Sequence, residues 1–183
     1  MRPLAFRAYP RGMKQLAMRR DDLEGLAQPR LPEGYRLRLA DADDTDPLAA
    51  LLALAFEDAT WTADRVQKIL LGSADVFATY VATDSEGRLV AVTSCQFREP
   101  SRTTGTLHWV GGDPDHRGRG LGKAVSLACL HRFAADGYSD CNLFTDDARL
   151  PAINTYLALG FRPEITDPSH PERWALIRER LGR

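Results

Sequence analysis

Residues 110–123 read VGGDPDHRGRGLGK, and no other stretch of the chain has residue types and spacing so suited to chemistry. A turn this rich in glycine, opening a helix, leaves several backbone N–H groups unpaired in one concavity, at the positive end of the helix dipole. Glycine has no Cβ to hold a ligand away. Arg117, Arg119 and Lys123 add full positive charges. The set suits a pyrophosphate. Spacing separates the ligand classes that use such loops. A P-loop needs GxxxxGK[ST], but Arg117 stands where its first glycine belongs and Ala124 where Ser or Thr would ligate magnesium. The dinucleotide fingerprint GxGxxG fails as well, because Gly118, Gly120 and Gly122 are spaced GxGxG. The pattern that fits is [QR]xxGx[GA], with Arg117, Gly120 and Gly122 at its fixed positions.

The elements that must position this loop follow from periodicity. Residues 35–39 alternate and predict a strand. Thr45-Asp46-Pro47 predicts a helix start, with Leu48, Leu51, Leu52 and Ala55 as its buried stripe. Thr62 caps a second helix carrying Val66, Ile69 and Leu70. Val76–Thr83 and Leu89–Phe97 form a hairpin around Asp84-Ser85-Glu86-Gly87. A strand over 106–110 runs into the glycine loop, and a helix continues to about Ala135. A strand at 141–145 and a helix at 151–159, stopped by Gly160, come next. Ser169 and Pro171 start a last helix, with Trp174, Ile177 and Leu181 on one face. The fold class is mixed α and β around one central sheet. Residues 1–34, broken by four prolines, read as an N-terminal arm, and 35–183 as the domain with its helical tail.

The glycine loop with its flanking strand and helix resembles the GNAT superfamily of acyl-CoA-dependent N-acyltransferases, whose fourth strand, pyrophosphate loop and third helix follow in this order. Farther on, PAINTYLALGF at 151–161 resembles the second superfamily signature, a helix carrying Ala and Tyr and ending in Gly-Phe. The element order from Tyr35 to about Phe161 matches too, leaving the arm and the tail after Pro163 outside the resemblance.

The resemblance implies a fourth strand splayed from the fifth at a bulge. Pantetheine of acetyl-CoA would lie in the resulting V, against main-chain groups of Val110, Gly111 and Gly112; the superfamily commonly has Val where Gly112 stands. The pyrophosphate would sit on Arg117, Gly118, Arg119, Gly120, Leu121, Gly122 and Lys123. Tyr156 matches the tyrosine near the CoA sulfur, where a phenol acts as general acid toward a departing thiolate. Arg149 stands where Asn often contacts the pantetheine arm, and is expected to touch the cofactor or to be solvated. An attacking amine must lose a proton, having a pKa of about 10.4. His108 is the first candidate base: two residues before Val110, it shares that residue's face by strand alternation, and its ordinary pKa is close to working pH. A structural histidine bonded to a neighbouring strand is the alternative. Glu99 is the second candidate base. The segment between the first two helices usually shapes the acceptor site, which names Phe56, Glu57 and Trp61 as substrate contacts.

The activity so implied is acetyl transfer from acetyl-CoA to a primary amine of a small molecule. Two other readings remain open. One is a protein or peptide N-terminus as acceptor, which a basic arm would serve: residues 1–38 hold nine Arg/Lys against four Asp/Glu. The other is a non-catalytic acyl-CoA-binding module, since Gly112 and Arg149 depart from the family pattern. Bulk properties narrow the classes further. With 183 residues, 44% hydrophobic, the chain suits one core, and a formal net charge of -1 demands no nucleic acid. No apolar run reaches the roughly 20 residues of a membrane span, and no secretory h-region is visible. A cytoplasmic monomer or homodimer is expected. Cys95, Cys129 and Cys141 read as buried free thiols, and the scattered histidines predict no metal site.

Overall fold

The computed structural model describes residues 14–98 and 103–182. Seven strands form one mixed sheet: β1 (Leu16–Arg20), β2 (Arg36–Leu39), β3 (Val76–Thr83), β4 (Leu89–Phe97), β5 (Thr104–Gly112), β6 (Asp140–Thr145) and β7 (Arg162–Glu164). Their order across the sheet is β2-β3-β4-β5-β6-β1-β7. All pairings are antiparallel except β5 with β6, which the crossover helix α3 (Leu121–Ala135) connects in parallel.

Two helices cover one face of the sheet. These are α1 (Thr45–Phe56) and α2 (Ala63–Val66), the latter prolonged by a wider turn over Gln67–Leu71. Leu48, Leu52, Trp61, Val66 and Leu70 pack there against Val81 and Val92. As predicted, Thr62 caps α2, its Oγ1 accepting from the Arg65 N–H at 3.2 Å. Entry into α1 differs from the reading. A reciprocal capping box between Asp41 and Asp44 holds a single turn, Ala42–Asp44, and α1 grows out of it. On the other face, α3, α4 (Leu150–Ala158) and α5 (His170–Arg180) bury Leu130, Phe133, Ile153, Tyr156, Trp174 and Ile177 against Leu16, Met18, Cys95, Leu107 and Leu143. Cys95, Cys129 and Cys141 are free and buried. Ser169 does not cap α5; its hydroxyl donates to Asp167 instead, at 2.8 Å.

The arm is the main correction to the sequence reading. Residues 16–20 are an internal strand, inserted between β6 and β7. Leu16, Ala17 and Met18 are covered on both faces, so the period-2 signal of a half-exposed strand is missing. β7 also escaped the reading. It is three residues long, carries Pro163 and lies at the sheet edge, where proline is tolerated.

Candidate active site

β5 and β6 pair only through Thr104, Gly105 and Thr106, yet both strands continue, to Gly112 and Thr145. The sheet therefore opens into a V beyond Thr106. Gly105 sits at the joint because a Cβ there would lie 2.5 Å from the Phe133 ring.

Within the V, β5 carries a bulge. Val92 pairs with Gly111 and Ser94 with His108, three steps on β5 against two on β4. Trp109 absorbs the extra residue at φ 50°. That left-handed conformation costs a residue with a side chain about 1–2 kcal/mol, and such strain concentrates at functional sites. The bulge also resets alternation. Leu107 and Val110 both pack toward α3 and α4, whereas Trp109 packs toward α1 and α2. His108, paired opposite Ser94, has its ring 4.8 Å from that of Trp109. Simple alternation put His108 and Val110 on one face; the bulge puts them on opposite faces.

The glycine loop meets its expected form. Gly118 and Gly120 have φ of 77° and 75°, which favours residues without a Cβ. A Cβ built on Gly118, Gly120 or Gly122 meets no atom within 4 Å, so these glycines border open space. Gly120 precedes α3 without any side-chain cap, and the first helical bond runs from Ala124 N–H to Gly120 O at 3.0 Å. The N–H groups of Leu121, Gly122 and Lys123 thus have no partner within the helix. Arg117 and Lys123 are exposed beside them, while the Leu121 side chain is buried as an anchor. Arg119 is tied down instead: it donates to the Tyr35 hydroxyl at 2.7 Å, and that hydroxyl also bonds His116 Nδ1 at 2.9 Å.

α4 and its entry carry the two other expected site residues, Tyr156 and Arg149. Tyr156 is 3% exposed; burial raises its phenol above the usual value, Arg149 lowers it and Asp146 raises it. It is therefore a protonated donor at neutral pH. Arg149 crosses the opening: its Nη2 donates to the Val110 carbonyl at 2.8 Å, and its guanidinium lies 4.5 Å from the Phe56 ring centre.

On the opposite face, Phe56, Trp61 and Trp109 form a wall, with ring centres 5.4 Å (Phe56–Trp109) and 4.7 Å (Trp61–Trp109) apart. The indole N–H groups of Trp61 and Trp109 and the His108 Nδ1 atom are buried without a hydrogen-bond partner among the described residues. Burial, aided by Arg98 and opposed by Asp75, pushes the His108 imidazole down to about 4. The ring is thus neutral near pH 7. Glu57 closes α1 at φ 52°, is exposed, and is not brought into the wall. Its neighbour Asp58 is engaged by Arg65 at 3.0 Å and by the Thr60 hydroxyl at 2.6 Å. Glu99 lies outside the described residues. Trp109 went unnoticed in the sequence, since tryptophan is ordinary in a strand and nothing in its type marks a bulge.

This geometry agrees with the comparisons. The chain belongs to the acetyltransferase (GNAT) family, whose pattern matches residues 38–161. Among its relatives, a mycothiol acetyltransferase of Actinosynnema mirum is 34% identical over 171 residues, covering 86% of this chain and 55% of the relative. A protein of the same name from Saccharomonospora viridis is 33% identical over 160 residues, covering 79% and 51%. The chain thus spans about half the length of the curated relatives it matches. A GCN5-related N-acetyltransferase from Sphaerobacter thermophilus shares the fold with TM-score 0.64 at 18% identity, over 83% of this chain and 50% of that one. An Escherichia coli GNAT family N-acetyltransferase, solved in complex with CoA, does so with TM-score 0.58 at 22% identity, over 74% and 72%.

Proposed function

We propose that this chain transfers an acetyl group from acetyl-CoA to a primary amine of a small molecule. The observation that carries this reading is the edge of β5 that β6 leaves uncovered beyond Thr106, where the Val110 carbonyl accepts from the Arg149 side chain, beside a glycine loop bordering open space at the uncapped start of α3. The loop would hold the pyrophosphate, chiefly through backbone N–H groups of Gly118, Gly120, Leu121 and Gly122, with Arg117 and Lys123 supplying charge. Val110, Gly111 and Gly112 would offer the pantetheine arm a strand edge to pair with.

The chemistry is direct attack. The amine nitrogen adds to the thioester carbonyl carbon, the C–N bond forms, the C–S bond breaks, and the leaving thiolate takes a proton. Tyr156 suits that last task because its hydroxyl stays protonated at working pH. His108 enters as a neutral imidazole on the acceptor side. A group titrating near 4 is a weak base for an ammonium, so its better role is to accept a hydrogen bond from the amine while solvent removes the proton.

A small-molecule acceptor is supported by the name that the relatives carry. The arm also bears on the choice. Among the described residues, Arg19 and Arg38 pair with the buried carboxylates of Asp140 and Asp44 of the same chain, so these two basic side chains serve the fold itself. The test is acetyl-CoA turnover against small primary amines and against peptides with free N-termini, read as thiol release and product mass. Transfer to a small amine is expected. Transfer to peptides alone would replace this acceptor, thiol release with no acetylated product would make the chain a hydrolase, and no thiol release above background would reduce it to a binding module.

A further inference from the structure

The Arg149 side chain occupies the strand edge that the proposed function reserves for pantetheine. Its Nη2 donates to Val110 O at 2.8 Å, on the part of β5 that no strand covers. The same guanidinium rests 4.5 Å over the Phe56 ring, at the end of α1. Gly111 lets α1 come this close: a Cβ there would lie 3.0 Å from Ala55 and 3.2 Å from Phe56. The arginine thus spans the V from the start of α4 to the end of α1, held at both ends.

We infer that Arg149 is an internal competitor of the acyl-CoA arm, a residue that sets cofactor affinity by closing the β5 edge until pantetheine displaces it. The inference rests on the proposed function, because it needs pantetheine to pair with this edge. A hydrogen bond from a guanidinium to a carbonyl is charge-assisted and roughly twice as strong as a neutral one. A pantetheine amide N–H that replaces it offers only the neutral bond. Binding must then draw on the fraction of molecules in which Arg149 has let go, and apparent affinity falls by that fraction. If about one molecule in ten is open, removing the competitor tightens binding about tenfold.

Calorimetric titration of the whole chain tests this with three ligands: coenzyme A, pantetheine, and adenosine 3′,5′-bisphosphate, which is the nucleotide half alone. The variants are R149M, which keeps an apolar stem to lie on Phe56 but no donor, and R149A. Both are expected to bind coenzyme A and pantetheine about tenfold more tightly than wild type and the nucleotide equally well. Unchanged or weaker binding of coenzyme A by both variants, with the nucleotide still bound as in wild type, would overturn the competitor and leave the proposed function standing. A wild-type protein that binds none of the three would overturn both.

Discussion

Replacing Gly120 with alanine imposes two separate costs that the structure allows to be told apart. The first is intrinsic. Gly120 sits at φ 75°, and a left-handed conformation costs a residue with a Cβ about 1–2 kcal/mol. No packing cost adds to it, because the new Cβ meets nothing within 4 Å. For a chain of this size that strain lowers the melting temperature by roughly 2–8 °C. The second cost falls on the ligand: the open space over the loop is where the pyrophosphate is proposed to approach the backbone. Losing that approach should weaken acetyl-CoA binding at least tenfold, about 1.4 kcal/mol. Gly137 supplies the control. It has φ 84°, its Cβ would also meet nothing within 4 Å, and it lies just past the far end of α3. G137A should lose the same stability and keep wild-type affinity. Thermal melts and calorimetry on the pair read both quantities. An affinity loss in G120A no larger than in G137A would refute the placement of the pyrophosphate.

Tyr156→Phe should lower kcat by about 10²–10⁴-fold while acetyl-CoA affinity changes little, since a general acid acts mainly in the transition state; equal turnover would make Tyr156 a packing residue. G105A should cost about 1–3 kcal/mol by overpacking, because its Cβ would fall 2.5 Å from the fully buried Phe133 ring; denaturant titration should also show partial rescue by adding Phe133→Leu. His108 is ordinarily near 6.5 and is held at about 4 in the fold. The unfolded chain therefore takes up its proton first as pH falls from 6.5 toward 4, and stability drops there by up to about 1.4 kcal/mol per pH unit. His108→Gln should flatten that decline, and an unchanged profile would mean the imidazole is not held neutral.

The glycine loop was legible because its chemistry is local. Glycines, charges and a helix start within a dozen residues leave few folds for the segment. α4 was legible for the same reason, with Pro151 inside its start and Gly160 just past its end. What escaped was non-local. β1 became a strand only because β6 and β7 flank it, and its continuous Leu16-Ala17-Met18 run carries no alternation to announce this. The bulge at Trp109 depends on register with β4, which residue types do not encode, and it moved His108 to the opposite face from Val110. Arg149 was readable as a departure from the family pattern, but its bond to Val110 needed the V itself. Glu57, expected at the acceptor site, stands exposed because the left-handed turn that ends α1 directs it away from the aromatic wall's packing.

The open edge of β5 is the proposed seat of the cofactor, and a crystal structure of the chain with coenzyme A decides whether it is. Pantetheine is expected between β5 and β6, with one of its amides donating to the Val110 carbonyl, the pyrophosphate on the N–H groups of Gly120 to Gly122, and Arg149 withdrawn from Val110. Coenzyme A bound elsewhere, with Arg149 still on Val110 and nothing in the V, would contradict it.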